Sequence, residues 1–334
     1  MYTLAFISFT STGIACWYTM LYSWVLVPAL ELVIKPNTQN MAAAEEELAK
    51  NDKVFDYLLY LVVLLQVPTL FYFLHSFVGV QLSSVDVVGR IFSMGMLCGV
   101  FGINVAHELG HRKNKFEQTL AKLSLLTSMY THFFIEHNKG HHKNVATPND
   151  PSSARYNEWV YLFYCRTISL TYIHAWHIAN AEVRRKGKAA FSIYNEMLQL
   201  QALQLVFIAT IYFTFGGLIL IYFFAAAFMG ILLLETVNYI EHYGLQRKQT
   251  APDKYERTMP EHSWNSNHAI GRMLLFELSR HSDHHYLASR KYQILRHHDN
   301  APQLPTGYPG CLLLALIPPL WCNIMNKRIK NLAA

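Results

Sequence analysis

The sequence predicts an all-α integral membrane protein, a bundle of about five to six transmembrane helices whose histidines gather at one end. Three observations carry this. Charged residues make up only 15% of the 334, where a soluble domain carries about 25%, and 52% are hydrophobic and 14% aromatic. Several apolar runs reach the roughly 20 residues that cross a bilayer core. Nine of the chain's 17 histidines fall in four places: His107 and His111; His137, His141 and His142; His242; and His281, His284 and His285.

Residues 3–30 are apolar and aromatic and read as the first span, leaving the membrane near Pro28 and Glu31. Residues 31–54 are polar, with the run Glu45-Glu46-Glu47 read as a solvated face. Residues 55–80 form a second span, Gln81 to Asp86 a polar turn, and residues 87–106 a third span delivered into His107. Residues 119–135 are apolar but short. Because His111 and His137 flank them and share a side, they read as a re-entrant or tilted helix. Residues 199–215 and 218–240 form a hairpin around Gly216-Gly217. Its return puts Glu235, Asn238 and His242 on one helical stripe. Residues 311–321 are too short to span. The chain reads as a single membrane hydroxylase-sized domain over 1–334, with catalytic segments 107–198 and 241–334 on the cytoplasmic side.

Basic residues follow the first histidine pair (Arg112, Lys113, Lys115) and recur at Arg184, Arg185, Lys186 and Lys188. Basic loops mark the cytoplasmic side, so the clusters are expected there. The same rule accounts for the net charge of +6 without a nucleic-acid partner. The five cysteines are scattered, with no C-x-x-C pair. This argues against a disulfide framework and a fused iron–sulfur or rubredoxin-type domain. The apolar start lacks a basic segment, so no cleavable signal peptide is expected.

His107-Glu108-Leu109-Gly110-His111 sets two imidazoles four apart on a helix, which points them at one metal. It also matches H-E-x-x-H, the zinc-protease pattern. A protease needs one further ligand, not three further clusters. Glu136-His137-Asn138-Lys139-Gly140-His141-His142 repeats the i, i+4 pairing at His137 and His141, with His142 turned by about 100° toward a second metal. His242 closes Asn238-Tyr239-Ile240-Glu241-His242-Tyr243-Gly244. His281-Ser282-Asp283-His284-His285 combines i, i+4 and i, i+3 spacings, with Arg280 placed to hold an acid. Nine imidazoles exceed one metal's coordination, and an all-histidine set in apolar surroundings suits iron. Neutral ligands leave the metals cationic, so Glu108, Glu136, Glu235, Asn238, Glu241 and Asp283 are candidates to support the rings from behind. His75, His132, His174, His177, His262, His268, His297 and His298 lack such company and read as structural, with His174 and His177 the strongest exceptions.

These motifs resemble the membrane-bound alkane monooxygenases, integral-membrane non-haem di-iron hydroxylases. The resemblance runs through His107–His111 and Glu136–His142, then Thr147, Asp150-Pro151 and Ala154-Arg155. It continues through Asn238–Leu245, Ser263-Trp264-Asn265, Arg280–His285, Ala301-Pro302, Leu304-Pro305, Gly307-Tyr308 and Pro318-Pro319-Leu320-Trp321. That covers most of the chain from about residue 25 onward. Membrane desaturases usually carry H-x-x-H-H as their second cluster, where this chain has H-x-x-x-H-H. The 3–30 span aligns with the family's second helix. Ser279 stands where a glutamine is usual, and Tyr286 where a small residue is.

The resemblance implies a six-helix bundle with two iron ions held by His107, His111, His137, His141, His142, His242, His281, His284 and His285. It implies O2-dependent hydroxylation of the terminal methyl of medium-to-long n-alkanes drawn from the lipid membrane. Electrons would come from rubredoxin, supplied by rubredoxin reductase and NAD(P)H. The expected location is the bacterial inner (plasma) membrane with the site facing the cytoplasm. Competing readings are a xylene-type or fatty-acyl hydroxylase or desaturase, a membrane zinc protease, and a non-enzymatic metal-binding membrane protein or transporter. Transporters favour polar groups at the bilayer midplane, whereas these ligands lie at span ends.

Overall fold

A computed structural model describes residues 1–332. Helices dominate; among the described residues, the strands are one short antiparallel pair, Gln249–Ala251 with Lys254–Tyr255. Five helices are long and apolar enough to cross a membrane: Gly13–Val33, Val54–His75, Ser84–Gly110, Glu196–Phe215 and Gly217–His242. The protein is an all-α integral membrane protein. The helices Tyr308–Ala315 and Pro318–Leu332 are too short or too polar to join the five, as expected for 311–321.

Two expectations need correction. The apolar run 3–30 is not one helix. Helix Tyr2–Thr10 stops at Ser11, and Gly13, at φ +65°, restarts the chain in a new direction. Asp86 accepts the Gly13 N–H at 2.6 Å and the Arg90 guanidinium donates to the Ser11 carbonyl at 2.9 Å. These partners lie more than seventy residues away, so the break has no local apolar signature. Residues 119–135 also divide. Asn114 caps helix Lys115–Leu126 by accepting the Phe116 N–H. The chain then turns through Met129, at φ +54°, before helix Phe133–Glu136. The structure adds helix Val160–Arg185, whose mixed polar and apolar residues had not marked it as an element.

The described residues cluster into two compact units. The first comprises Met1–Val25, Asp56–Glu136 and Tyr172–Leu234. Its core includes Phe9, Leu70, Phe73, Leu97, Ile211 and Phe223. Within it, helices Ser84–Gly110 and Gly217–His242 approach closely because small residues face each other. A Cβ on Gly230 would lie 2.6 Å from the Cys98 Cβ, and one on Gly99 would lie 2.7 Å from Leu233 Cδ2. In a membrane, where apolar burial between helices gains nothing over lipid, such backbone approach supplies much of the attraction. Gln66 is buried yet satisfied, accepting from the Tyr2 hydroxyl at 2.9 Å and donating to Thr127 at 3.3 Å.

The second unit comprises Leu26–Phe55, His137–Thr171 and the chain from Glu235 onward. Its interior is aromatic and hydrogen-bonded. The Tyr239 hydroxyl donates to the Glu158 carbonyl at 2.6 Å, Trp264 Nε1 to the Tyr243 carbonyl at 2.9 Å, and the Tyr243 hydroxyl to Asn326 at 2.9 Å. Arg280 does not hold a nearby acid as its main partner. It donates to the Leu295 and Gln39 carbonyls at 2.7 and 2.8 Å, which fastens the fourth histidine segment to the polar stretch after the first span.

Substituting Gly230 by leucine is expected to destabilise the protein by about 1–3 kcal/mol, the usual cost of overpacking a tight interior. The check is thermal unfolding in detergent followed by tryptophan fluorescence. Substituting Gly187, whose Cβ would meet nothing within 4 Å, by asparagine, which tolerates its positive φ, is expected to leave the midpoint near wild type.

Candidate metal centre

In the first unit the helix Ser84–Gly110 ends in the first histidine pair. His107 lies in its last regular turn and His111 caps it. Their Nε2 atoms are 3.3 Å apart, as i, i+4 spacing on one face requires. Glu108 pairs with Arg112 at 2.7 Å, and Arg112 reaches Asp56 at 3.4 Å. A carboxylate committed to a guanidinium is a poor general base, which weakens the protease reading of H-E-x-x-H. Glu136 lies 3.0 Å from His174 Nδ1, so His174 belongs to a carboxylate–imidazole pair.

The second unit holds the other seven. Residues His137–His141 form a π-helical turn, not the α-helix expected, and His142 starts a new short helix. A π-turn stacks i over i+5 where an α-turn stacks i over i+4. The pairing of His137 with His141 is corrected accordingly: His137 Nε2 lies 3.0 Å from His142 Nε2, and His142 Nε2 lies 3.1 Å from His284 Nε2. His141 is freed to join a different set. His141, His242, His281 and His285 offer four nitrogens, all within 4.8 Å of one another and all buried. His141 Nε2 lies 3.2 Å from His285 Nε2, and His242 Nε2 lies 3.1 Å from His281 Nε2. Helix His281–Tyr286 therefore serves both sets, with His281 and His285 in one and His284 beside His142.

The supporting acids are partly those expected. Glu241 Oε2 is 3.2 Å from His281 Nε2, and its Oε1 accepts from the Tyr308 hydroxyl at 2.9 Å. Glu235 accepts from Thr167 at 2.9 Å and from Asn238 at 3.2 Å, so these two brace the last long helix. Asp283 is corrected. Its fully buried carboxylate is taken by Arg290 at 2.8 and 3.0 Å, the Arg296 N–H at 2.8 Å and His298 at 2.7 Å. It anchors the segment, and the imidazole it binds is not one of the nine. Asp150 had been passed over as a support. Its Oδ2 lies 2.9 Å from His141 Nδ1, both side chains being buried. The signal was only a lone aspartate nine residues beyond His141. Burial pushes the Asp150 carboxyl up, but the His141 ring and the Ser153 hydroxyl outweigh it, and it sits below the usual carboxylate range.

The remaining histidines bond elsewhere where partners are defined: His262 with Glu256, His268 with Ser266, and His297 with Asn267. Tyr286 turns toward His298 and lies under the Arg257 guanidinium at 5.0 Å. Ser279 is buried, and its carbonyl accepts the Ser266 N–H at 2.8 Å.

The donor chemistry fits a metal. Two ligands on one ion, with bonds of about 2.1 Å, lie about 3.0 to 3.5 Å apart at right-angle to tetrahedral geometry. The nitrogen contacts in the second unit run from 3.0 to 3.2 Å. His142 Nε2 faces two other ring nitrogens and carries at most one proton, whereas a cation satisfies all three lone pairs at once. Burial, then the surrounding imidazoles, push the His285 ring well below the usual imidazole range. It is neutral at pH 7, with a lone pair to give.

The fatty acid desaturase family matches residues 83–312 of the chain. The chain is 40% identical over 305 residues to an alkane 1-monooxygenase of Acinetobacter baylyi, covering 91% of this chain and 74% of that one. It is 36% identical to alkane 1-monooxygenase 2 of Alcanivorax borkumensis, covering 94% and 82%. A xylene/toluene monooxygenase hydroxylase component of Pseudomonas putida is 30% identical over 72% of this chain and 64% of its own length. Agreement with these two alkane enzymes is higher and extends over more of the molecule, and the family match takes in all four histidine clusters. The chain therefore belongs to the fatty acid desaturase family and, within it, to the alkane 1-monooxygenases.

Proposed function

We propose that this protein hydroxylates the terminal methyl of medium-to-long n-alkanes, using O2 at two iron ions held by its nine clustered histidines. One oxygen atom enters the C–H bond to give a 1-alkanol. The other leaves as water, with two electrons and two protons supplied from outside the chain. The observation that carries the reading is the convergence of imidazole nitrogens at ligand-edge distances, in a chain similar over nine-tenths of its length to alkane 1-monooxygenases.

The four-histidine set His141, His242, His281 and His285 holds one ion. His137, His142 and His284 hold the other, with His107 and His111 completing the nine. The metal pair supplies the binding and reduction of O2, which no side chain here performs. The chain's own part is to fix the rings. Asp150 accepts the His141 Nδ1–H, so the Nε2 lone pair is left for the ion. Asp283, held by Arg290 and His298, keeps the segment carrying three ligands from shifting. The apolar helices admit a substrate with no polar handle from the lipid and exclude water. Rubredoxin delivers the electrons, fed by its reductase and NAD(P)H. The site faces the cytoplasm of the bacterial plasma membrane, where the basic residues near 112–115 and 184–188 lie.

Purified protein supplied with rubredoxin, its reductase, NADH and a series of n-alkanes from octane to hexadecane is expected to form 1-alkanols and to contain two irons per chain. Zinc in place of iron, with no alcohol, would overturn the reading. His285→Ala is expected to lower bound iron and abolish product; iron and turnover equal to wild type would remove it from the ligand set. Asp150→Ala leaves every ligand present and is expected to weaken iron retention about 10–100-fold, measured as iron lost to a competing chelator. Retention equal to wild type would show that Asp150 does not orient His141.

A further inference from the structure

In the first unit a short loop joins the end of helix Val160–Arg185 to the span Glu196–Phe215, and it leaves large apolar side chains bare. Phe191 is 89% exposed and Ile193 81%, with Tyr194 also exposed. Phe213, inside the span that follows, is bare to the same degree, 84%, as a lipid-facing residue is. The loop is nonetheless fixed. Gly187, at φ +69°, ends the helix, and the Lys188 N–H returns to the Val183 carbonyl at 3.1 Å, a Schellman closure. The fully buried Asn195 ties three pieces together. Its Oδ1 accepts the Met197 N–H at 3.0 Å and caps the span, while its Nδ2 donates to Asn180 Oδ1 at 2.8 Å and to the Ala190 carbonyl at 2.7 Å. Gln199 donates to the Ile193 carbonyl at 2.6 Å. Gln199 lies one turn into the span, so this bond holds Ile193 about 5 Å along the span from its first residue.

Cations flank these apolar tips. Arg184 and Arg185 in the last helical turn, then Lys186 and Lys188, are all exposed. Lys188 Nζ lies 5.2 Å from the centroid of the Tyr194 ring, so a cation and an aromatic share one side of the loop. Of the two acids nearest in sequence, Glu196 is committed to Lys122 at 2.6 Å and Glu182 is half-buried. A signal for membrane orientation needs only the charges. It needs neither bare apolar side chains nor a backbone locked beside the first turn of a span. That combination suits the boundary of a bilayer, where apolar tips reach the edge of the acyl chains and cations meet phosphate. The span beside the loop runs into lipid, so what meets the loop at this depth is lipid as well.

We propose that the loop 184–194 is a binding site for acidic phospholipids of the leaflet it faces. Phe191, Ile193 and Tyr194 enter the edge of the acyl chains, and Arg184, Arg185, Lys186 and Lys188 take the phosphate headgroups. Acidic lipid then holds the loop at one depth and, through Asn195, the mouth of the span with it. The inference rests on the membrane-spanning fold and not on the metal chemistry, so it stands or falls separately from the two-iron reading.

Phe191→Trp supplies the reporter, read as the fluorescence it adds to that of the six native tryptophans. The full-length protein is placed in bilayers of phosphatidylcholine and phosphatidylglycerol in equal parts, with quenching bromine on the acyl chains of one lipid or the other. The added tryptophan is expected to be quenched by both, and about twice as strongly when phosphatidylglycerol carries the bromine, since cations at an anionic surface gather acidic lipid. Replacing Arg184, Arg185, Lys186 and Lys188 together by glutamine is expected to keep the quenching and erase the preference. Salt at about 1 M is expected to weaken the preference in the parent. No quenching by either lipid places the loop in water and overturns the proposal. So does equal quenching by the two lipids, or a preference that survives the four glutamines. Equal quenching, with a raised KM for rubredoxin in the glutamine variant, assigns the cations to an acidic protein instead and also overturns it. Should the glutamine variant fail to insert, the salt series decides: a preference unmoved by salt removes the cations from the site.

Discussion

The structure depends on one electrostatic constraint: ring nitrogens brought face to face repel unless something positive lies between them. Four contacts in the two histidine groups of the second unit pair Nε2 with Nε2. A neutral tautomer settles one such contact by donating an N–H to the facing lone pair, but a nitrogen that faces two others, as His142 Nε2 does, has at most one proton to offer. Burial disfavours charged imidazolium, and the rings sit on backbone that is itself fastened. Where ring nitrogens converge in this way the site favours a cation, and metal binding and native packing draw on the same free energy. Neighbouring features that look like ordinary structural bonding are the means by which that preference is sustained.

The carboxylates show how. Buried acids near the histidines do three separate jobs. Asp150 fixes a tautomer from the remote nitrogen. Asp283 fixes a segment by collecting an arginine, a backbone N–H and an outer histidine. Glu241 meets a ring at the nitrogen that faces a second imidazole. Glu108, adjacent in sequence to a ligand, does none of these in its contact with Arg112. Proximity along the chain was thus a poor guide to role. What decides is which ring nitrogen a carboxylate approaches and what else holds it.

Much of this was legible in the residues. Long apolar runs gave the helices of four of the five candidate spans, because lipid exposure leaves an unbroken compositional mark. The fifth was found as part of a longer run whose break at Ser11–Gly13 depends on Asp86 and Arg90, far along the chain. The histidine clusters stood out because no packing rule produces three imidazoles in five residues. Helix Val160–Arg185 did not stand out, since its polar and apolar residues are interspersed without a long hydrophobic run. Asp150 and the contact between Glu136 and His174 also escaped: each is a contact between single residues, made by the tertiary fold and leaving no spacing rule behind. The division of the second cluster was misread for a local reason, the assumption of 3.6 residues per turn where the backbone takes more.

That widened turn has a consequence in coding terms. In an α-helix the first and last histidines of H-x-x-H-H stand four apart and stack. Here the cluster holds one more residue, H-x-x-x-H-H, and the π-turn at His137–His141 absorbs it, so His137 still meets His142. Losing a single codon among Asn138, Lys139 and Gly140 would convert one spacing into the other while preserving which imidazoles meet. The two cluster lengths are then neighbouring states of one scaffold, separated by an in-frame deletion and not by a new fold.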